Sequence, residues 1–344
     1  MRMDFRHLSR LAICALALLA APRPGRAAGK AGAGPAARPI AVATYAADEE
    51  QLRAVRALAR SIRERGGAFA GAPIYVSVPD PASLPLSRLQ GLGVEILPLG
   101  IDEAFLRYPL AVKAFAAAQA EEKARLAADA LVWLDPGVVV LGQPDALALD
   151  GGADAVLRPV TLVNTIGQAP GKEPDEYWRP IFAATGLLGR SLPVLETIVE
   201  QAAIQPYYNC EVFAFNPRLG LAGEWARLLS RFLQDEAYQK TACTTFLRRL
   251  FLHQAVLSAV ITARVKPGRI RPLPLASGYP FGQHEKLPAT RKIASLDEAA
   301  AVIFDRTWQQ DPGWLERIPS GTALRRWLAA VYEDYRSPEG ETPR

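Results

Sequence analysis

The sequence has few of the residues from which many catalytic centres are built. Its 344 residues include three cysteines, three histidines and two methionines. It contains no cysteine spacing typical of a zinc site, no Walker phosphate-binding loop and no Gly-x-Ser-x-Gly nucleophile elbow. These absences argue against structural zinc, P-loop nucleotide hydrolysis and serine esterase chemistry.

The chain also lacks a strong excess of charge once its first residues are set aside. The formal net charge is +5 and the sequence pI is about 9.1, but residues 1–27 hold five arginines and one aspartate, a net +4. The rest of the chain is therefore close to neutral. Because a basic surface is the main signature of nucleic-acid binding, we expect no nucleic-acid partner.

Residues 1–27 have the layout of a secretory signal peptide. Arginines precede an apolar run over residues 11–21, and small residues, Gly25 and Ala27, offer a cleavage site. An apolar run of this length is too short to span a bilayer comfortably. The alternative is an uncleaved anchor, and membrane contact would then occur only through this segment. In both cases we expect an exported protein, either periplasmic or secreted.

The remaining sequence predicts one large domain between two short disordered segments. Residues 28–37 are rich in alanine and glycine and are predicted to be a disordered linker. The domain is expected to cover residues 38–335, and residues 336–344 form a tail.

Cysteine usage leaves one question open. Cys14 lies inside the signal peptide, so Cys210 and Cys243 are the cysteines of the exported part. In an exported protein they could form a disulfide, or they could be two buried free thiols. Sequence spacing does not decide between these alternatives.

Strand and helix signals alternate along the domain. Short apolar runs bounded by turn residues predict strands, and apolar residues three or four positions apart predict helices. The predicted strands are 40–45, 73–79, 94–97, 131–134, 138–141, 153–158, 209–215 and 301–304. The predicted helices are 48–65, 86–92, 108–129, 191–201, 223–232, 246–263 and 322–335, and 159–180 is expected to be a long loop or lid. This alternation predicts an α/β fold with a mostly parallel sheet.

The stretch at residues 131–141 is the most informative part of the chain. It is an apolar run interrupted once, by Asp135-Pro136-Gly137. Proline lacks a backbone donor and glycine permits unusual dihedral angles, so the chain is expected to turn there. A carboxylate at the carboxyl end of a central strand is where open α/β sheets place ligands. The alternative is that Asp135 only caps the turn.

Four blocks spread over about residues 38–305 occur in an order that is typical of one superfamily. The first is Ile40-Ala-Val-Ala-Thr-Tyr with Ile74-Tyr-Val-Ser-Val, and the second is Lys113 followed by Trp133-Leu-Asp-Pro-Gly-Val-Val-Val. The third is Tyr208-Asn-Cys-Glu-Val-Phe-Ala-Phe-Asn-Pro, and the fourth is His253-Gln254. With these blocks the chain resembles the GT-A-fold glycosyltransferases, the nucleotide-diphospho-sugar transferase superfamily.

The resemblance implies a GT-A-like, Rossmann-like fold in which a twisted, mostly parallel sheet is flanked by helices. It also implies roles for particular residues. Asp135 and Glu211 are the expected catalytic residues. The expected substrate-binding residues are Thr44, Tyr45, Lys113, Asn209, His253 and Gln254.

The resemblance further implies a divalent cation, Mn²⁺ or Mg²⁺, held by an Asp-x-Asp motif. Two carboxylates one residue apart hold the cation, which neutralises the donor diphosphate. Here Gly137 stands in place of the second carboxylate, Glu211 in place of a glycine and His253 in place of an aspartate. Asp135 alone remains as a doubtful metal ligand, so we expect the metal dependence of any sugar transfer to be weakened or absent.

Taken together, the sequence predicts a glycosyltransferase-like protein that transfers or handles a sugar on an envelope or extracellular glycan. Its expected partners are a sugar donor or a glycan. The alternative is a non-catalytic carbohydrate-binding or scaffold protein of the cell envelope that uses a degenerate GT-A cleft.

Overall fold

The computed structural model describes residues 39–337, except Pro109 and Arg306. The predicted signal peptide (1–27), the predicted linker (28–37) and most of the predicted tail lie outside the described residues. The described residues belong to one compact unit, which begins at Arg38. None of the helices in this part of the chain is both long and apolar enough to cross a membrane.

Strands and helices alternate over the first half of the described chain, as the sequence predicts. The strands are β1 (Ile40–Tyr45), β2 (Ile74–Val78), β3 (Val94–Pro98), β4 (Ala130–Leu134), β5 (Val138–Val140), β6 (Ala155–Leu157), β7 (Leu195–Glu196), β8 (Ala203–Ile204), β9 (Val212–Phe215), β10 (Ile270–Pro272), β11 (Ser277–Pro280) and β12 (Ala301–Ile303). The helices are α1 (Glu49–Arg65), α2 (Glu103–Leu106), α3 (Val112–Ala124), α4 (Trp178–Thr185), α5 (Leu221–Gln234), α6 (Glu236–Thr241), α7 (Phe246–Leu250), α8 (Leu252–Arg264), α9 (Thr307–Gln310), α10 (Trp314–Arg317) and α11 (Thr322–Arg336).

A mixed sheet forms the centre of the fold. Its strand order is β10-β6-β9-β4-β1-β2-β3. Strands β1, β2, β3 and β4 pair in parallel, as do β6 and β10, while β9 runs antiparallel to both β4 and β6. The prediction of an α/β fold with a mostly parallel sheet flanked by helices is therefore confirmed.

The inner strands of the central sheet bury both of their faces, because helices or loops cover both sides of the sheet there. In β4, Leu131 and Trp133 point to the side covered by α3, α5 and α8, whereas Val132 and Leu134 point to the side covered by α1. Side chains alternate between faces along a strand, so the near-continuous apolar run of β4 is what burial on both sides requires.

Helix α1 shows how local sequence sets an element that borders the site. Asp48 is its N-cap, and the Asp48 carboxylate accepts a hydrogen bond from the Gln51 backbone N–H at 2.7 Å. The apolar positions at three- and four-residue intervals are buried against the sheet, and the helix ends at Gly66. The predicted helix at 48–65 is thus confirmed, with its first residue acting as the cap.

The Asp135-Pro136-Gly137 corner carries the chain from the central sheet into a smaller one. After the corner, β5 joins a three-stranded sheet in the order β11-β12-β5, where it runs antiparallel to β12. The Asp135 N–H donates to the Glu211 carbonyl oxygen at 2.9 Å, and the Phe304 N–H donates to the Gly137 carbonyl oxygen at 2.9 Å. The predicted turn is therefore the junction between the two sheets.

Several predicted helices differ from the observed elements. The helix predicted at 191–201 is wrong: this region forms the antiparallel pair β7 and β8. Its β-branched residues, including Ile198 and Val199, donate backbone hydrogen bonds to Val160 and Thr161, so tertiary pairing decides the conformation.

Three other predicted helices are shorter than expected or interrupted. The helix expected at 108–129 is limited to α3, the one at 86–92 is a short 3₁₀ turn over Leu86–Leu89, and the one at 246–263 divides at Phe251 into α7 and α8. Near the carboxyl end, α11 continues one residue past the predicted domain boundary at 335.

Ser61 is a buried polar link between α1 and β5, and its removal should destabilise the fold. The Ser61 hydroxyl donates to the Leu58 carbonyl oxygen at 2.6 Å and accepts from the Val140 N–H at 3.0 Å. Ser61→Ala leaves the buried Val140 N–H without this partner, so we expect the free energy of unfolding to fall by about 1–3 kcal/mol. Ser83→Ala, which removes an exposed hydroxyl, is the control. Equal effects in denaturant titrations would contradict this account.

Candidate active site

Two adjoining cavities lie where the carboxyl ends of β1 and β4 meet the start of β9. In open α/β sheets this edge is the usual location of a ligand. We name each after a charged residue that lines it and not the other: the Lys113 cavity and the Asp135 cavity. Glu211 and Asp305 line both, so the two spaces share a wall.

The Lys113 cavity has a volume of about 220 Å³ and a lining rich in amide groups. Four of its lining side chains are amides: Asn164, Asn209, Gln254 and Gln283. Amide groups both donate and accept hydrogen bonds, as sugar hydroxyls also do. The cavity is therefore suited to a ligand with many hydroxyl groups.

The Asp135 cavity also has a volume of about 220 Å³ but a more acidic lining. Its carboxylates are Asp48, Glu50, Asp135, Glu211 and Asp305, and its aromatic rings come from Tyr45, Phe304, Trp308 and Tyr335. Aromatic rings give an apolar surface with polar edges. This cavity therefore combines an apolar face with hydrogen-bond acceptors.

A buried ion pair stands between the two cavities. The Lys113 ammonium donates to one carboxylate oxygen of Asp135, and the side chains are only 3% and 13% exposed. The indole N–H of Trp133 donates to the other oxygen of Asp135 at 2.8 Å. Trp133 in turn is stacked between Tyr45 and Phe213. Both oxygens of Asp135 are thus engaged by fixed neighbours.

The electrostatics of this pair keep both groups charged near neutral pH. Burial raises the pKa of the Asp135 carboxyl to about 6, although the Lys113 ammonium opposes that rise. Burial by itself would lower the pKa of Lys113, but the negative charges around it, of which Asp135 contributes most, together raise that pKa. The pair is therefore ionised at pH 7 and carries no net charge.

Glu211 lies beside the pair and is held by Asn209. The Asn209 side-chain amide donates to the Glu211 carboxylate at 2.7 Å, and the Glu211 N–H donates to the Asn209 side-chain oxygen at 2.9 Å. The two residues precede β9 and so face the end of β4, where Asp135 lies. The predicted catalytic pair, Asp135 and Glu211, is therefore brought to one place.

His253 lines the Lys113 cavity as a neutral, fully engaged side chain. Its Nδ1 lies 2.8 Å from the Leu250 carbonyl oxygen, which can only accept, so Nδ1 carries the proton. Its Nε2 lies 3.2 Å from the Cys210 sulfur. Burial and the nearby Lys113 charge hold the pKa of His253 well below its usual range. Gln254 also contacts the Cys210 sulfur, at 3.2 Å.

Both cysteines of the described chain are free and buried. Burial raises the pKa of Cys210 to about 12 and that of Cys243 to about 11. Of the two alternatives that the sequence left open, the structure shows buried thiols rather than a disulfide.

All but one of the predicted site residues line a cavity. The residues brought together are Tyr45, Lys113, Asp135, Asn209, Glu211, His253 and Gln254. Thr44 is the exception, because its buried side chain does not line either cavity. Alternation along β1 places Tyr45 on the side of Trp133 and Thr44 on the opposite side. The structure therefore does not bring Thr44 to the cavities that the other predicted site residues line.

Sequence reasoning missed most of the opposite wall. This wall comes from residues after 264, including Gln283, Asp305, Trp308 and Tyr335. Only Asp305 carried a usable signal, since it is an acidic residue directly after the apolar strand predicted at 301–304. The predicted loop at 159–180 does reach the site, through residues 160–164.

The divalent cation implied by the resemblance does not fit the residues present. Asp135 has both oxygens engaged, and an added Cβ at Gly137 would lie 3.0 Å from the Asp305 Cα and 3.1 Å from its nitrogen. In the part of the chain that the structure describes, no group of three or more His, Cys, Asp or Glu side chains is placed to hold a metal. The assignment of Asp135 as a metal ligand, already in doubt from the sequence, is not supported.

Two of the comparisons with known proteins show what the chain is similar to. Residues 44–264 match the model of the Rhodobacterales glycosyltransferase domain. The search of curated proteins finds no sequence match. Among solved structures, the chain is similar to a crystal structure of the galactosyltransferase LgtC in complex with donor and acceptor sugar analogues. That similarity has a TM-score of 0.47 and 13% sequence identity, and it covers 87% of this chain and 98% of the other.

The close approach of Asp305 to Gly137 gives a stability prediction. Gly137→Ala places a methyl group against the Asp305 main chain, which must shift. We expect a loss of about 1–3 kcal/mol in the free energy of unfolding, typical of overpacking. Gly142→Ala is the matched control, because its Cβ would meet only the Ala300 Cα, at 4.0 Å. Denaturant titrations that found the two variants equally stable would contradict the steric argument.

Proposed function

We propose that this chain, which belongs to the family of Rhodobacterales glycosyltransferase domains, transfers or handles a sugar on an envelope or extracellular glycan. The family match covers well over half of the chain, and it confirms the resemblance stated from the sequence. Membership makes the protein glycosyltransferase-like, with a sugar donor and a sugar acceptor as its expected partners. The nature of the glycan and its location are part of the proposal.

The observation that carries the proposal is that the Glu211 carboxylate lies in the lining of two adjoining cavities. Glu211 lines both the amide-rich Lys113 cavity and the aromatic Asp135 cavity. In glycosyl transfer, the anomeric carbon of the donor and the hydroxyl group of the acceptor must meet. A residue that lines both cavities is placed next to these reacting atoms. Glu211 occupies that position, and Asn209 holds its carboxylate in a fixed direction.

In the proposed reaction, Glu211 accepts the proton of the attacking hydroxyl. A general base must lie within hydrogen-bond reach of that proton, and a carboxylate at the shared wall satisfies this for an acceptor in either cavity. Amides of the Lys113 cavity hold sugar hydroxyls, and the aromatic wall of the Asp135 cavity packs against an apolar sugar face. Because the donor set does not fit a divalent cation, the proposed activity has weak or no metal dependence.

One observation favours a second candidate, a carbohydrate-binding or scaffold protein without catalysis. Asp135, the residue that resembles the metal-binding aspartate of the superfamily, is fully engaged by Lys113 and Trp133. A cleft that has lost this function can still bind glycans through its amides and aromatic rings. The two candidates differ in whether a sugar is transferred.

Glu211→Gln tests the proposal, because it removes the charge but keeps the size of the side chain. We expect transfer of sugar from UDP-glucose, GDP-mannose or a polyprenyl-phosphate sugar to oligosaccharide acceptors to fall by 10-fold to 100-fold or more, as expected for loss of a general base. Product formation is followed by mass spectrometry. Glu285→Gln, at an exposed ion pair outside both cavities, should have no effect.

Calorimetry with free oligosaccharides separates the two candidates. Transfer that depends on Glu211 supports the enzyme. Oligosaccharide binding without transfer from any donor would support the binding protein and overturn the catalytic proposal.

We also propose that the protein is exported, on the basis of the signal-like residues 1–27. Cell fractionation should find the full-length chain in the periplasm or medium, with a mass reduced by the cleaved segment. A variant lacking residues 2–27 should remain in the cytoplasm. Cytoplasmic recovery of the full-length chain would refute export.

A further inference from the structure

We infer that the Lys113 ammonium is the built-in cation of this cleft, and that it receives the phosphoryl oxygen of a phosphate-linked sugar donor where the superfamily employs a divalent metal. This inference rests on the proposed function, since it names the donor class for the same site. The shared chemistry is a sugar bonded to phosphate, whether the phosphate belongs to a nucleotide or to a lipid.

The first argument is the balance of charge. A divalent cation with two carboxylates carries no net charge, and neither does one ammonium with one carboxylate. At this site Gly137 occupies the position of the second carboxylate, so one carboxylate, Asp135, remains. The single positive charge of Lys113 pairs with it. The Lys113–Asp135 pair thus has the same net charge as a divalent cation held by two carboxylates, without a metal.

The second argument is the hydrogen-bonding capacity that Lys113 retains. An ammonium has three N–H donors. Among the described residues, the hydrogen bond to Asp135 is the one found for the Lys113 nitrogen. The side chain is 3% exposed and lines the Lys113 cavity. A nearly buried cation with donors left over is stabilised by an anionic oxygen that enters this cavity.

The third argument is that the ammonium is held in place. Asp135 fixes the nitrogen of Lys113, and Trp133 fixes Asp135 through its indole N–H. Trp133 is fully buried in the aromatic stack of the sheet. A donor group that does not have to reorganise gives stronger stabilisation of developing negative charge.

The implied step balances as follows. The bond between the anomeric carbon and the phosphate oxygen breaks, and its electron pair stays on that oxygen. The acceptor oxygen forms the new bond to the anomeric carbon, and its proton passes to the Glu211 carboxylate. Lys113 keeps its proton and donates a hydrogen bond to the departing phosphate oxygen. No oxidant, reductant or metal takes part.

Calorimetry with inorganic pyrophosphate tests the inference without relying on sugar transfer. The wild-type protein should bind pyrophosphate in EDTA, with no divalent cation present, because the proposed site takes its positive charge from Lys113. Lys113→Met should weaken binding by at least about 10-fold, as expected for loss of a charge-assisted hydrogen bond. Asp135→Asn should retain or strengthen binding, because it leaves the Lys113 charge uncompensated.

Two further variants guard against an effect of misfolding. Lys113→Met leaves Asp135 buried without its cation, so the double variant Lys113→Met with Asp135→Asn removes both charges together. We expect the double variant to fold and to bind pyrophosphate as weakly as Lys113→Met. Lys123→Met is the matched control on the same helix, at an exposed ion pair with Glu95, and should bind as the wild type does.

Two results would overturn the inference. One is a tight Mn²⁺ site, seen by electron paramagnetic resonance in the wild type and lost in Asp135→Asn. The other is unchanged pyrophosphate affinity in the folded double variant. Neither result depends on transfer, so the inference can fail while the Glu211 experiment succeeds, and the reverse. Comparing UDP with a polyprenyl phosphate in detergent then distinguishes the two sources of phosphate.

Discussion

The site depends on one constraint: a lysine and an aspartate that are both buried must remain paired. Removing one partner of such a pair leaves an uncompensated charge inside the protein, which costs about 3–5 kcal/mol in typical cases. Lys113 comes from α3 and Asp135 from the end of β4, so the pair ties a helix to the central sheet. The same contact that stabilises this junction places a positive charge at the wall of the cleft.

A second constraint comes from the corner itself. Pro136 and Gly137 turn the chain out of the central sheet and into the sheet formed by β5, β12 and β11. The main chain of Asp305 then packs directly against Gly137, where no side chain fits. Asp305 has a positive φ of 47°, a conformation that aspartate tolerates better than most residues. The main chain of Asp305 therefore occupies the space that a carboxylate side chain at position 137 would need.

Much of this arrangement could be predicted from the sequence, for identifiable physical reasons. The strand β4 is apolar throughout and is followed by Asp135-Pro136-Gly137. The positions of the strand and of Asp135 could therefore be predicted from the sequence. Other features depend on partners distant in sequence. The segment near Ile198 is not helical because its backbone N–H groups donate to Val160 and Thr161, which are distant in sequence. Thr44 lies outside both cavities because side chains alternate between the two faces of β1. The hydrogen bonds from Trp133 and Lys113 to Asp135 depend on where the helix and the strand lie in three dimensions. The spacing of these residues in the sequence does not predict them.

The cleft is composite, and its two sides have different origins. The ion pair, Asn209 and Glu211 lie within residues 44–264, the range matched by the family. The facing wall, with Gln283, Trp308 and Tyr335, lies beyond it. Substitutions in this facing wall change the shape of the cavities but leave the ion pair, Asn209 and Glu211 in place. The segment after residue 264 therefore shapes the outer wall of both cavities, whereas residues 44–264 supply the ion pair and Glu211.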